Sequence, residues 1–145
     1  MRPAVLAASL LLLACAPKEE APAPEAAPPP PPAPTVADFA GTWNATTTLP
    51  GAQPVETQIV INADGTGQMI AAGRDPVPLT LSINGDSLIA VSGEYESLLR
   101  KGTKVTIRVA NHRGGDELHS NVIATYKSAS GEEVVNGTMT AKKAP

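Results

Sequence analysis

The chain has 145 residues, among them 15 prolines, 12 glycines, one cysteine and only four aromatic side chains, Phe39, Trp43, Tyr95 and Tyr126. That length holds one domain at most; the single cysteine excludes an internal disulfide, and two histidines are too few for a Cys/His zinc site. The formal charge of −3, or −4 once Arg2 leaves with the leader, does not point to a nucleic-acid binder.

Residues 1–14 begin with the basic Arg2 and continue as an apolar stretch from Ala4 to Ala14 that includes Leu6 and Leu10 to Leu13. A bilayer-spanning helix needs about 20 apolar residues, so this shorter run has the dimensions of a secretory signal. It closes on Leu12-Leu13-Ala14-Cys15, which resembles the lipobox of bacterial lipoproteins. The resemblance implies a thioether-linked diacylglycerol on Cys15, cleavage just before it and acylation of the new amino terminus. Two or three acyl chains anchor a protein near-permanently, whereas one binds only marginally. The expected address is the cell envelope, with the membrane as partner. Ala16 rather than Asp after the cysteine favours the outer membrane over the inner under the sorting rule of enterobacterial lipoproteins.

Residues 15–36 form the second segment, the lipidated cysteine followed by a Pro/Ala-rich linker. Positions 16–35 hold nine prolines, including Pro28 to Pro32. Proline fixes φ and donates no hydrogen bond, and the segment has no large apolar side chains to bury. The expectation is polyproline II, twenty residues at about 3.1 Å each, a spacer of roughly 60 Å.

In residues 37–145 the hydrophobic period is two. Val55, Thr57, Ile59 and Ile61 alternate with polar neighbours, as do Val77, Leu79, Leu81 and Ile83, then Val105, Ile107 and Val109, then Leu118, Ser120, Val122, Ala124 and Tyr126. Weaker candidates at 41–49, 66–72, 87–94 and 133–142 bring the total to eight strands. Tight-turn signals separate them: Ala63-Asp64-Gly65, Gly73-Arg74-Asp75-Pro76, Asn84-Gly85-Asp86, Gly114-Gly115-Asp116 and Ser130-Gly131. Such short connections force antiparallel neighbours. The one irregular connection runs from Tyr95 to Gly102, where Tyr95, Leu98 and Leu99 have the i, i+3, i+4 spacing of a single helical turn. Eight strands in up-and-down order expose two edges unless the first pairs with the last. The predicted fold is therefore all-β, a closed eight-stranded antiparallel barrel with strand one against strand eight; the alternative is an open meander or sandwich.

The domain opens on Phe39-Ala40-Gly41-Thr42-Trp43. Gly-x-Trp at the head of the first strand of an eight-stranded meander resembles the lipocalin and avidin superfamily. The resemblance implies that Gly41 and Trp43 form a plug at one end of the barrel. Two features depart from it. Lipocalins stack a late arginine on that tryptophan, and the last strand here offers only Lys142 and Lys143; avidins line the biotin pocket with several tryptophans, and this chain has one. Biotin is accordingly not the expected ligand.

No catalytic constellation is visible. Ser92, Ser97 and Ser120 lack a nucleophile signature such as Gly-x-Ser-x-Gly, the carboxylates form no acid/base pair, and His112 and His119 do not supply the three or four ligands that a metal needs. The expected protein is not an enzyme and carries no metal or cofactor. One uneven feature is a basic run, Arg100, Lys101, Lys104, Arg108 and Arg113, a candidate contact for anionic headgroups or an acidic partner. Two functional readings remain. In the first, the anchored barrel holds a small apolar ligand. In the second, it is a structural or interaction lipoprotein docking on an envelope complex or anionic surface through an outer face. An apolar cavity of about 300 Å³ or more marks the first; a filled interior with an exposed patch marks the second.

Overall fold

The computed structural model describes residue 28 and residues 31–145. The expected signal peptide, Cys15 and most of the expected proline-rich spacer lie outside the described residues. A 3-10 helix, Val36–Phe39, leads into strands β1 (Gly41–Thr48), β2 (Val55–Ile61), β3 (Thr66–Ile70), β4 (Val77–Asn84), β5 (Ser87–Ser92), β6 (Tyr95–Glu96), β7 (Lys104–Gly114), β8 (Glu117–Ser128) and β9 (Gly131–Lys143). Every pairing is antiparallel, and the long strands follow chain order around a ring, β1-β2-β3-β4-β5-β7-β8-β9. The ring closes where β1 lies against β9, in register from Trp43↔Lys143 to Thr48↔Thr138. This is the closed eight-stranded barrel that the turn lengths and the cost of bare edges demand.

Alternation places one row of each strand inside. On β8, Leu118, Ser120, Val122, Ala124 and Tyr126 are all buried. Trp43 and Ala45 on β1 stand opposite Ile59 and Thr57 on β2. The register also sets which loops share an end. β1 and β9 run in opposite directions, so the β1–β2, β3–β4, β5–β7 and β8–β9 connections gather at one end, and the hairpins at 62–65, 85–86 and 115–116 at the other.

The connection after β5 departs from the sequence expectation. Residues 95–102 form no helical turn. Tyr95 and Glu96 instead pair with Val105 and Lys104 as the short β6. Tyr95, the first residue of the helical spacing, is held extended by its pairing with Val105, and Ser97 shapes the bend that follows. Its Oγ accepts from the backbone N–H groups of Leu99 and Arg100 at 3.1 and 3.0 Å, while Ser97 N donates to Thr103 O at 2.8 Å. The amides of a helical turn are thereby taken up by a side chain, and a compact bend results. One step earlier, Ile107 N donates to Ser92 Oγ at 2.9 Å, so a hydroxyl stands in for the backbone acceptor between the end of β5 and β6.

Residues 35–39, just before β1, join the fold, so Thr35 and Val36 of the expected linker are structured. Thr35 N and Thr35 Oγ1 both donate to Asp38 Oδ2, at 2.6 and 2.8 Å, closing the first turn of the 3-10 helix. Those two bonds hold the Asp38 carboxyl below the usual carboxylate range. Val36 packs against the core, and Phe39 is buried within it.

Candidate functional site

The two ends of the barrel differ. At the end where β1 begins, Trp43, Phe39, Leu88 and Leu118 are the largest fully buried side chains. Trp43 Nε1 donates to Phe39 O at 2.9 Å, so the indole's one polar atom is satisfied as the ring enters the core. Lys143 Nζ lies 5.7 Å from the Trp43 ring centroid, within cation–π range. The cation beside the indole thus comes from the last strand, β9. Gly41 has φ +134, which favours glycine there; a Cβ would also meet the flexible Lys143 side chain, Cε at 3.0 Å. Arg113 Nη1 donates to Asp38 O at 2.5 Å and strapped across this end it also holds Gly115 O through Nε at 3.1 Å.

Above the tryptophan the interior keeps a narrow cavity of about 70 Å³, and none of the described residues that line it carries a charge. Its polar groups are few. Asn111 is bonded at both ends of its amide, with Nδ2 donating to Leu88 O at 3.0 Å and Oδ1 accepting from Ser120 Oγ at 2.8 Å. Thr57 Oγ1 is different. It is shielded from solvent and has no hydrogen-bond partner among the described residues. Nearer the far end, burial, and then the Tyr126 phenol beside it, pushes the Tyr95 phenol up to about 12.

That far end is closed by a bend rather than by core side chains. Leu98 and Leu99, carried on the Ser97 bend, line the cavity there. Arg100, the next residue, makes a fork-on-fork pair with Glu133 on β9 at 2.6 and 3.0 Å and lies 4.0 Å over the Tyr126 ring. Both partners of the pair are well exposed, so it positions the bend more than it adds stability. Outside Tyr95 and Leu98, a shallower groove of about 330 Å³ runs past Met69, Val77 and Pro78.

The tyrosine shift carries a pH dependence. An acid whose folded pKa is raised is favoured in its neutral form. The stability this gives is complete below the ordinary pKa of 10 and is lost as pH rises towards about 12. The loss amounts to roughly 2–3 kcal/mol. Melting temperatures measured from pH 9 to 12 should fall less steeply for Tyr95→Phe than for the parent; superimposable curves would remove Tyr95 as the cause.

The other residues singled out in the sequence are placed as follows. Gly41 and Trp43 sit together at the sealed end. Of the basic run, Arg100, Lys101 and Lys104 gather at the end closed by the bend, Arg108 lies partway along β7, and Arg113 belongs to the sealed end. Lys104 to Arg113 spans roughly 30 Å of strand, so the five are spread along the length of the barrel. His112 and His119 are direct cross-strand partners. His112 Nδ1 lies 3.1 Å from Ser87 Oγ, and His119 Nε2 is 3.6 Å from Glu117. Among the described residues no group of three or more His, Cys, Asp or Glu is placed to hold a metal, and no helix is long and apolar enough to cross a membrane. Cys15 lies outside the described residues. Sequence reasoning missed the special position of Thr57. The available signal was a hydroxyl inside an otherwise aliphatic inward row, Val55-Thr57-Ile59-Ile61.

No protein-family model and no curated protein matches the chain. Among solved structures it is similar to rhizavidin in complex with biotin, at 20% identity over 73% of this chain and 92% of that one with a TM-score of 0.45. It is similar to rhizavidin in a second structure, at 20% identity over 77% and 88% with a TM-score of 0.47. Intact afifavidin in its apo form matches at 14% identity over 73% and 81%, with a TM-score of 0.45.

Proposed function

We propose that this protein is a lipid-anchored envelope lipoprotein whose barrel binds a small, slender apolar ligand. The observation that carries the ligand is the interior itself: a cavity with an uncharged, mainly aliphatic wall, sealed at one end by Trp43 and closed at the other by a bend. Apolar surface of that kind, out of water and shaped, is what small-molecule sites are built from. Its volume of about 70 Å³ falls well short of the roughly 300 Å³ expected and limits the guest to a small one. An engineered cavity of about 150 Å³ holds benzene, so a wider molecule fits only if Leu98 and Leu99 move aside. Rhizavidin is a protein solved with biotin; the one tryptophan of this chain is its plug, and biotin is not the ligand proposed here. The test is native mass spectrometry of the full-length protein after gentle extraction. A discrete small-molecule adduct is expected. A bare protein mass, with no adduct after exposure to short apolar compounds, would overturn the ligand reading.

The anchor rests on Leu12-Leu13-Ala14-Cys15 at the end of the apolar stretch. Cys15→Ser should leave an unprocessed precursor or release the protein from the lipid fraction. Unchanged maturation and membrane partitioning would rule the anchor out.

The small cavity favours a second reading, in which the barrel docks through its outer face. Val91, Arg108, Ile123 and Asn136 stand in one row across β5, β7, β8 and β9. Val91 and Ile123 in that row are exposed, as is Val134 two positions along on β9. A co-extracted protein in the same mass spectrum, lost on Ile123→Lys, would select this reading.

A further inference from the structure

The rim of the barrel carries a second recess with a different chemistry. The β1–β2 turn and the Ser97 bend border a groove of about 340 Å³ whose wall includes Leu49, Pro50, Leu99, Val135, Tyr126 and Arg100. It is several times larger than the lumen and lies at the lower end of the range of small-molecule sites. Leu49, Leu99 and Tyr126 also line the lumen, so they form the wall between the two spaces. Among the described residues that line the groove, Arg100 is the only one that carries a charge.

Arg100 is held ready for a planar anion. Tyr126 and Glu133 are direct cross-strand partners on β8 and β9. The guanidinium lies 4.0 Å over the Tyr126 ring and reaches Glu133 through Nη1 and Nη2 at 2.6 and 3.0 Å. Stacking on the ring fixes the plane of the fork, and the fork matches a carboxylate in two parallel bonds. Both members of the pair are exposed, at 41% and 58%, and a surface pair of this kind adds little stability. Exchanging Glu133 for another carboxylate therefore costs little. A guest with an apolar body gains in addition by covering Leu49, Leu99 and Val135.

We propose that this groove is a binding site for a small monocarboxylate with a compact apolar body, whose carboxylate takes the Arg100 fork in place of Glu133. The site lies outside the lumen and stands whether or not the lumen holds a guest. The fork keeps the Glu133 carboxyl below the usual carboxylate range, so a carboxylate in its place is an ion at neutral pH. A neutral guest has no charge to set against the guanidinium, and an ammonium meets it as a like charge.

Four probes test the assignment: phenylacetate, phenylacetamide, phenethylamine and acetate, which has the head group without the apolar body. Each is titrated into full-length protein while the methyl resonances of Leu49, Leu99 and Val135 are followed, with Val109 and Val122 as reporters of the lumen. Phenylacetate should bind about threefold or more tightly than the amide and the amine, and about tenfold or more tightly than acetate. Glu133→Gln removes the resident competitor and should tighten phenylacetate about two- to fivefold, leaving phenylacetamide within about twofold. Arg100→Lys keeps the charge but loses the fork, and should weaken phenylacetate about three- to tenfold. A gain in binding from Glu133→Gln is not what a purely structural ion pair gives. The amide, the amine or acetate bound as tightly as phenylacetate overturns the site, as does an unchanged phenylacetate affinity in Glu133→Gln. Shifts at Val109 and Val122 with Val135 unmoved would put the guest in the lumen and overturn the site as well, leaving the lumen as a ligand chamber.

Discussion

Trp43→Ala is expected to cost about 3–5 kcal/mol, the range for removing a buried large aromatic side chain, and so to unfold most of a domain of ordinary marginal stability. Trp43 is fully buried and is grouped with Phe39, Leu88 and Leu118 at the sealed end. Its removal leaves a hole in a barrel that already holds a cavity of about 70 Å³ above it. It also strips Phe39 O of the indole N–H that bonds it at 2.9 Å, and with it the tie between the 3-10 helix and β1. Two kinds of loss therefore add in one substitution. Denaturant titration followed by circular dichroism checks the magnitude. Trp43→Phe, which restores most of the volume but not the N–H, should recover more than half of it. A loss under about 1 kcal/mol for the alanine variant would mean that Trp43 does not seal the barrel.

Gly137→Ala is the second large effect, and it acts on closure rather than on the plug. Gly137 lies on β9 opposite Val122, where the first strand ends against the last. A Cβ there would stand 2.5 Å from the carbonyl oxygen of Thr48 and would also strike the Leu49 side chain. Leu49 can rotate, but the Thr48 carbonyl is backbone of β1, so relief requires parting the Thr48↔Thr138 end of the seam. Overpacking of this sort costs typically about 1–3 kcal/mol and occasionally more. Amide hydrogen exchange should localise it, with protection lost at residues 45–48 and 138–141 before it is lost on β7 and β8. Gly93→Ala is the control, because nothing lies within 4 Å of a Cβ there, and it should be close to neutral. Equal effects at the two glycines would argue that the β1–β9 seam is not tightly packed.

Much of this architecture is readable from residue order alone. Val77-Leu79-Leu81-Ile83 and Leu118-Val122-Tyr126 declare strands through a period of two, since that period is the geometry of a pleated chain. Asn84-Gly85-Asp86 and Gly114-Gly115-Asp116 leave no length for anything but hairpins, which fixes spatial order. Closure then follows from a general cost, that of two bare edges. Each of these rests on local chemistry or on a count of residues between elements, which a linear string contains.

The candidate site was far less legible, because it depends on distances between residues remote in sequence. Ser97 looks in the string like one hydroxyl among several; only the fold shows it gathering the Leu99 and Arg100 amides and replacing an expected helical turn with β6 and a bend. Arg100 and Glu133 are 33 positions apart and meet because β9 passes beside the bend. The basic run reads as one feature, yet an extended strand carries Arg113 to the end opposite Arg100. Thr57 stands in an apolar row that any alternation count records as inward. That its hydroxyl is shielded without a hydrogen-bond partner among the described residues, while the hydroxyls of Ser97 and Ser120 have theirs, is set by tertiary packing. Strand identity and order are set by local geometry and connection length. The volume of the interior and the lack of charge among the described residues that line it come from how eight inward rows interdigitate, a property of packing that no single row carries.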